Sequence, residues 1–175
     1  MTNSEAAKIV RTILCRGLTN QQTEQIVNAM VPTTVTSGNT VFREEERGQG
    51  LFVLLDGTVE VVKESGPGGA VIIATVEAPS VLGEMSLITD RAHSATVRAR
   101  TNCEFRLLTR PQFDRLLQGE SLAAYKVVAT LADVIAWRLN RMDEKFVELS
   151  RRGENPQPVE ELAMFKQKLF NEWNY

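Results

Sequence analysis

The chain has 175 residues, 43% of them apolar and 24% charged, with a formal net charge of −2 from 20 basic and 22 acidic side chains. That is enough chain to bury a sizeable core in one domain, with the composition of a soluble globular protein. The near-balance of charge leaves no overall field for nucleic acid or an anionic membrane, and no apolar run is long enough to span a bilayer.

The segment Met1–Glu5 lacks both the basic region and the apolar core of a secretory signal, so a cytoplasmic location is the default expectation. Residues 4–14 carry Ile9, Val10, Ile13 and Leu14 on one side, which predicts a short amphipathic helix. Thr19 caps a second helix, with Gln22 in capping-box spacing and Ile26, Val27 and Met30 along one face; Pro32 reads as its end. From 33 to 109 Val, Thr, Ile and Phe dominate, and turn residues recur about every eight to twelve positions. Strands are predicted at 40–43, 51–55, 58–63, 71–76, 94–99 and 103–109, the pattern of an antiparallel sandwich or barrel. Asp56-Gly57 and Gly66–Gly69 are the expected hairpin turns.

Pro111 opens a helix that buries Phe113, Leu116 and Leu117 and stops at Gly119. A long helix follows over 121–152, without internal proline or glycine. Its Tyr125, Val128, Ala132, Ile135, Leu139, Met142, Phe146 and Leu149 alternate in spacing between three and four, a heptad seam. The seam reads as a parallel homodimer interface, in which Arg138 at a g position meets Asp143 at the following e′ position; the alternative is a monomer whose seam packs on its own strands. Gly153–Pro158 breaks the helix, and Val159–Tyr175 reads as a terminal amphipathic helix with Leu162, Phe165, Leu169 and Trp173 on one face. It is too short for a helix-turn-helix domain; it folds back on its own domain, lies across a dimer, or docks to a protein partner. The expected organisation is one domain over 1–152 and a C-terminal extension over 153–175.

The segment with the most chemistry is Val81-Leu82-Gly83-Glu84-Met85-Ser86-Leu87, followed by Ser94-Ala95-Thr96-Val97. A glycine and a carboxylate open a short helix whose free N–H groups and positive dipole end suit an anion, and a hydroxyl residue then enters a β-branched strand. This resembles the phosphate-binding cassette of the cyclic nucleotide-binding domain family, the ligand module of catabolite activator-type regulators and of cyclic nucleotide-gated kinases and channels. The resemblance spans roughly 12–150. It includes the run Val41–Gly57, with glycines at 48 and 57 and Gly38 before it, the segment Arg98–Thr101 leading to Cys103–Phe105, and the order of strands, short helix and long helix. The fold it implies is mainly β with flanking helices: an antiparallel, jelly-roll-like β-roll with N-terminal helices and a long C-terminal dimer helix.

By the same resemblance Glu84 accepts a ribose 2′-hydroxyl, backbone N–H groups of Gly83, Glu84, Met85, Ser86 and Ala95 hold a cyclic phosphate, and Ser94 donates to a phosphate oxygen. The ligand implied is cAMP or cGMP. The chain departs from the pattern at two positions. Glu45 stands where the family has glycine, at a turn expected to lie away from the cassette. His93 stands where the family has an arginine that forks onto the phosphate with a permanent charge. Losing that charge-assisted pair costs roughly 2–4 kcal/mol, on the order of 30- to 1000-fold in affinity. Arg91, two residues earlier, points the same way in an extended segment and is a candidate substitute; the alternative is a solvated loop arginine beside Asp90. On the far wall Met142 and Asp143 stand where hydroxyl residues of the dimer helix reach the adenine; Met142 can pack against a base without reading its edge.

Other chemistry finds little support. The single histidine excludes a His-rich metal site, and Cys15 and Cys103 read as buried reduced thiols, with a His93–Cys103 haem or metal pair the weaker reading. No base and nucleophile constellation points to an enzyme. Acidic residues interleave the basic ones on the long helix, the mark of a solvated face. Two functions therefore compete. One is a sensor of a cyclic nucleotide or other small anion, with weak or altered binding. The other is a domain that has lost the nucleotide and acts as a dimeric protein-interaction module.

Overall fold

Three capping boxes set the helix starts in the computed structural model, which describes residues 2–15, 17–64, 69–89 and 91–152. Two units make up the chain, Met1–Ala132 and Asp133–Tyr175. In α1 (Asn3–Leu14) the Thr2 hydroxyl accepts from Glu5 N–H while the Glu5 carboxylate accepts from Thr2 N–H. Thr19 and Gln22 do the same for α2 (Asn20–Ala29), and Thr109 and Gln112 for the later α4 (Arg110–Gln118). Each box satisfies two backbone donors that the first turn leaves free.

The β region is built from β1 (Val31–Val35), β2 (Thr40–Phe42), β3 (Gly50–Asp56), β4 (Thr58–Glu64), β5 (Ala70–Glu77), β6 (Ser80–Leu82), β7 (Thr96–Ala99) and β8 (Cys103–Thr109). Two of these, β1 and β6, are additions to the expected set. The helix α2 stops at Ala29, three residues before Pro32, which lies inside β1, an edge strand where a missing N–H breaks no ladder. Ser94 and Ala95, expected in a strand, precede β7. All pairings are antiparallel, in two four-stranded sheets ordered β1-β8-β3-β6 and β2-β7-β4-β5. The fold is thus the expected antiparallel β-roll with flanking helices.

Alternation of two along each strand sends one set of side chains between the sheets. Phe52 and Leu54 of β3, Leu82 of β6 and Cys103 and Phe105 of β8 meet Phe42 of β2, Val59 of β4 and Val97 and Ala99 of β7. Phe42, Phe52 and Phe105 form a chain of rings with centroid separations of 5.4 and 5.9 Å. Both cysteines are buried and in no disulfide, Cys103 donating to the Thr58 and Thr101 carbonyls, and burial pushes the Cys15 thiol up to about 11.

The helix α3 (Glu84–Thr89) follows β6, and α5 runs over Leu122–Arg152. Within the first unit α5 buries Ala123, Ala124, Val127 and Leu131, and Lys126 donates to Gly17 O at 2.8 Å. That buried stripe is adjacent to the heptad seam, whose first member, Tyr125, is 54% exposed. In the second unit Leu139 is 55% and Met142 68% exposed. The side chains of Phe146 and Leu149, the break at 153–158, the terminal helix expected at 159–175, Asp90 and residues 66–68 of the expected glycine-rich turn lie outside the described residues.

Candidate functional site

The cassette begins where β6 ends. Gly83 has φ +76 and lies against β3 so closely that a Cβ would sit 2.5 Å from Gly50 O. Only glycine combines that backbone with that approach. Glu84 starts α3 with its carboxylate side chain buried, at the end where the helix dipole favours a negative charge. At the other end Arg110 donates from Nη1 to Leu87 O at 2.9 Å, and its Nε pairs with Asp114 at 2.8 Å. Ser86 and Leu87 are buried, and Met85 is exposed.

The loop between β2 and β3 closes over α3. A Cβ at Gly48 would sit 2.3 Å from Ser86 Cβ, so this loop and α3 are in direct contact. His93 completes the arrangement. Its N–H donates to Glu46 O and its carbonyl accepts from Glu45 N–H, both at 2.9 Å. Its ring stacks on Phe42 with centroids 3.8 Å apart and planes at 14°. Nδ1 lies 3.1 Å from Ser86 Oγ, and Nε2 accepts from Gln49 N–H at 3.5 Å. Burial pushes the ring below its ordinary pKa of 6.5, with the Glu46 carboxylate acting weakly the other way.

Three expectations change with this geometry. The Glu45 turn does not lie away from the cassette: Glu45, at φ +64, and Glu46 are hydrogen-bonded to His93, because the β2–β7 pairing folds the turn back on it. The alternation argument for Arg91 fails, since β7 starts only at Thr96; Arg91 is exposed and His93 is 4% exposed. His93 is not a donor waiting for a phosphate, because both ring nitrogens are engaged inside the protein.

The structure brings Gly83, Ser86 and His93 together and places Glu84 and Met85 on the same helix. Ser94 is exposed and Ala95 buried; Lys63 donates to Ser94 O at 2.8 Å and also pairs with Glu44, whose N–H donates to Thr96 Oγ1. Met142 belongs to the second unit. Sequence reasoning missed Phe42, Gly48 and Gln49. The signal available was Gly48-Gln49-Gly50, inside the run Val41–Gly57, where two glycines bracket a backbone N–H that must approach something closely. Among the described residues no group of His, Cys, Asp and Glu could hold a metal ion, and no helix is long and apolar enough to cross a membrane.

An antiparallel roll whose connection after β6 carries a Gly-Glu helix start and returns through a Ser-Ala step is the arrangement that the cassette resemblance leads one to expect. The family model described as the cyclic nucleotide-binding domain matches residues 32–120, about half of the chain, and the chain belongs to that family. It is 30% identical over 100 residues to a cAMP-dependent protein kinase regulatory subunit of Schizosaccharomyces pombe, covering 57% of this chain and 23% of that protein. It is 26% identical over 107 residues to potassium channel AKT2 of Oryza sativa subsp. japonica, covering 61% of this chain and 12% of the channel. The chain therefore spans less than a quarter of either relative. Among solved structures, a cyclic nucleotide-binding domain from Methylobacillus flagellatus KT superposes with a TM-score of 0.74 at 25% identity, covering 83% of each chain. The Thermus thermophilus catabolite activator protein shares the fold, with a TM-score of 0.68 at 24% identity over 78% of this chain and 62% of that one.

Proposed function

We propose that this chain is a non-enzymatic regulatory module, located in the cytoplasm, that senses cAMP, cGMP or another small anion at the cassette with weakened affinity. The observation that supports it most is the family match over 32–120, which encloses Gly83, Ser86 and His93 held against one another. Glu84 is assigned to the ribose hydroxyl, and the N–H groups of Gly83–Ser86 and Ala95, with the Ser94 hydroxyl, to the phosphate. A neutral residue at 93 leaves the phosphate without its forked cation, which is why the affinity expected is about millimolar and not micromolar. Titrating cAMP and cGMP while following backbone amides by NMR tests this. Saturating shifts should centre on residues 83–89 and 94–96, and Glu84→Gln should weaken binding roughly 10- to 150-fold through loss of a charged acceptor. If no amide moves with either nucleotide, the cyclic nucleotide reading fails and the interaction module is favoured.

Dimerisation through α5 is part of the same proposal. Leu139 and Met142 are exposed on the heptad seam, and the stripe that buries Ala124, Val127 and Leu131 is a different one. Replacing both Leu139 and Met142 with glutamate places like charges along the seam and should convert a dimer into a monomer in sedimentation. An unchanged mass in the variant, or a monomeric wild type, excludes this interface.

A further inference from the structure

We infer that His93 is a positioning residue: in its neutral form it pins α3 to the loop between β2 and β3 through Ser86 and Gln49, and in its protonated form it releases them, so that acid loosens the cassette. The pin itself stands on hydrogen bonding and packing. Its effect on a ligand rests on the cyclic nucleotide reading above.

The tautomer follows from the partners. Gln49 offers a backbone N–H, which can only donate, so Nε2 carries the lone pair and Nδ1 carries the single proton of the neutral ring, directed at Ser86 Oγ. The residue's own backbone is bonded on both sides to Glu45 and Glu46, so the ring bridges a fixed loop and a helix. A second proton has one place to go, Nε2, where it would face Gln49 N–H. A hydrogen bond then becomes a contact between two donors. The ring, stacked on Phe42 and nearly unexposed, cannot turn to water without leaving its slot. The close fit of Gly48 against Ser86 means that the loop and the helix cannot separate without losing this packing.

The charged groups on the surrounding elements do not reverse this preference. The loop supplies Glu46, which favours the proton but is already engaged by Arg43 N–H at 3.1 Å and its guanidinium at 3.5 Å. The cassette carries Glu84 on α3 and exposed Arg91, and β4 contributes Lys63, paired with Glu44, at Ser94. Phe42 and Gly50, from β2 and β3, are uncharged. The unfolded chain takes up the proton at about 6.5, while the folded ring resists it. The contribution of His93 to stability is therefore complete above that pH, is lost progressively as pH falls below it, and levels off once the folded ring protonates.

A histidine acting as a charged phosphate donor would strengthen binding in acid; the pin predicts the opposite sign. Each pH unit below the ring's own pKa should cost up to about tenfold in apparent cAMP affinity, the limit for one linked proton.

His93 is the only histidine in the chain, so ring nitrogen spectra of the 15N-labelled protein from pH 7.5 to 5 report on it without assignment. The expected result is an Nδ1–H tautomer, a midpoint below 6.5, and Gln49 and Ser86 amide shifts that follow the same curve. In His93→Gln, which is polar and does not titrate, those amides should stay flat and the acid loss of stability should shrink. An Nε2–H tautomer, an ordinary midpoint, or amides indifferent to the ring would overturn the pin. cAMP affinity measured over the same range should fall in acid, and a rise would overturn the coupling. Absence of both cAMP and cGMP binding at every pH would defeat the cyclic nucleotide reading alone, leaving the ring titration to decide the pin.

Discussion

Gly83→Ala should lower unfolding free energy by about 2–5 kcal/mol, whereas Gly17→Ala should lower it by only about 1–2. The two glycines have nearly the same backbone, φ +76 and φ +74, so the left-handed strain imposed on an added Cβ is common to both. They differ in surroundings. A Cβ at Gly17 has nothing within 4 Å, while one at Gly83 would overlap Gly50 O at 2.5 Å, and a backbone carbonyl inside a sheet cannot swing aside as a side-chain tip can. Relief at position 83 would require β3 to shift from β6 or α3 to tilt. Against a total stability of about 5–15 kcal/mol, the larger loss is severe. Urea unfolding of the two variants beside wild type measures the difference directly. Equal losses would mean that Gly83 matters for its dihedral angle alone and that the close seat on Gly50 does not constrain the cassette.

How much of this was legible in the chain depends on where each constraint resides. Local signals were readable: Thr19 with Gln22, Asp56-Gly57, Pro111 with Gly119 and the uninterrupted run from 121 to 152 each specify a boundary through nearest neighbours. The β-roll itself was legible because turn residues punctuate β-branched runs. Strand β6 was not, since three residues carry no periodicity, and its existence depends on pairing with Phe52–Leu54 some thirty positions earlier. Strand β1 was hidden behind Pro32, a breaker in a helix but tolerable on a sheet edge. The cassette residues were recognisable as a string, but the role of His93 was not. Its stacking partner Phe42 and its hydrogen-bond partner Gln49 are separated from it by 51 and 44 positions, and only the roll's topology brings them together. A lone histidine in a ligand motif therefore looked like a weakened ligand, when its surroundings are those of a core residue.

His93→Arg should raise cyclic nucleotide affinity on the order of 30- to 1000-fold while lowering the stability of the unliganded protein by about 2–4 kcal/mol. The two effects have separate causes. The side chain at 93 is aimed at the first turn of α3, with Nδ1 3.1 Å from Ser86 Oγ, so a longer side chain on the same path can carry a guanidinium to the phosphate position assigned above. The imidazole's removal costs the stack on Phe42 and leaves Gln49 N–H and Ser86 Oγ to find other partners in a buried site. Ligand then restores what the substitution removes, because occupancy at about 100 times Kd contributes about 2.7 kcal/mol. The variant should therefore melt well below wild type alone and recover most of the difference in saturating cAMP, while wild type barely responds at the same concentration. Calorimetry at neutral pH gives the affinity, and thermal melts with and without cAMP give the compensation. A folded His93→Arg protein with no gain in affinity would show that this side chain does not reach the phosphate. The cassette would then have diverged in shape as well as in charge, which favours the interaction module over a disabled sensor.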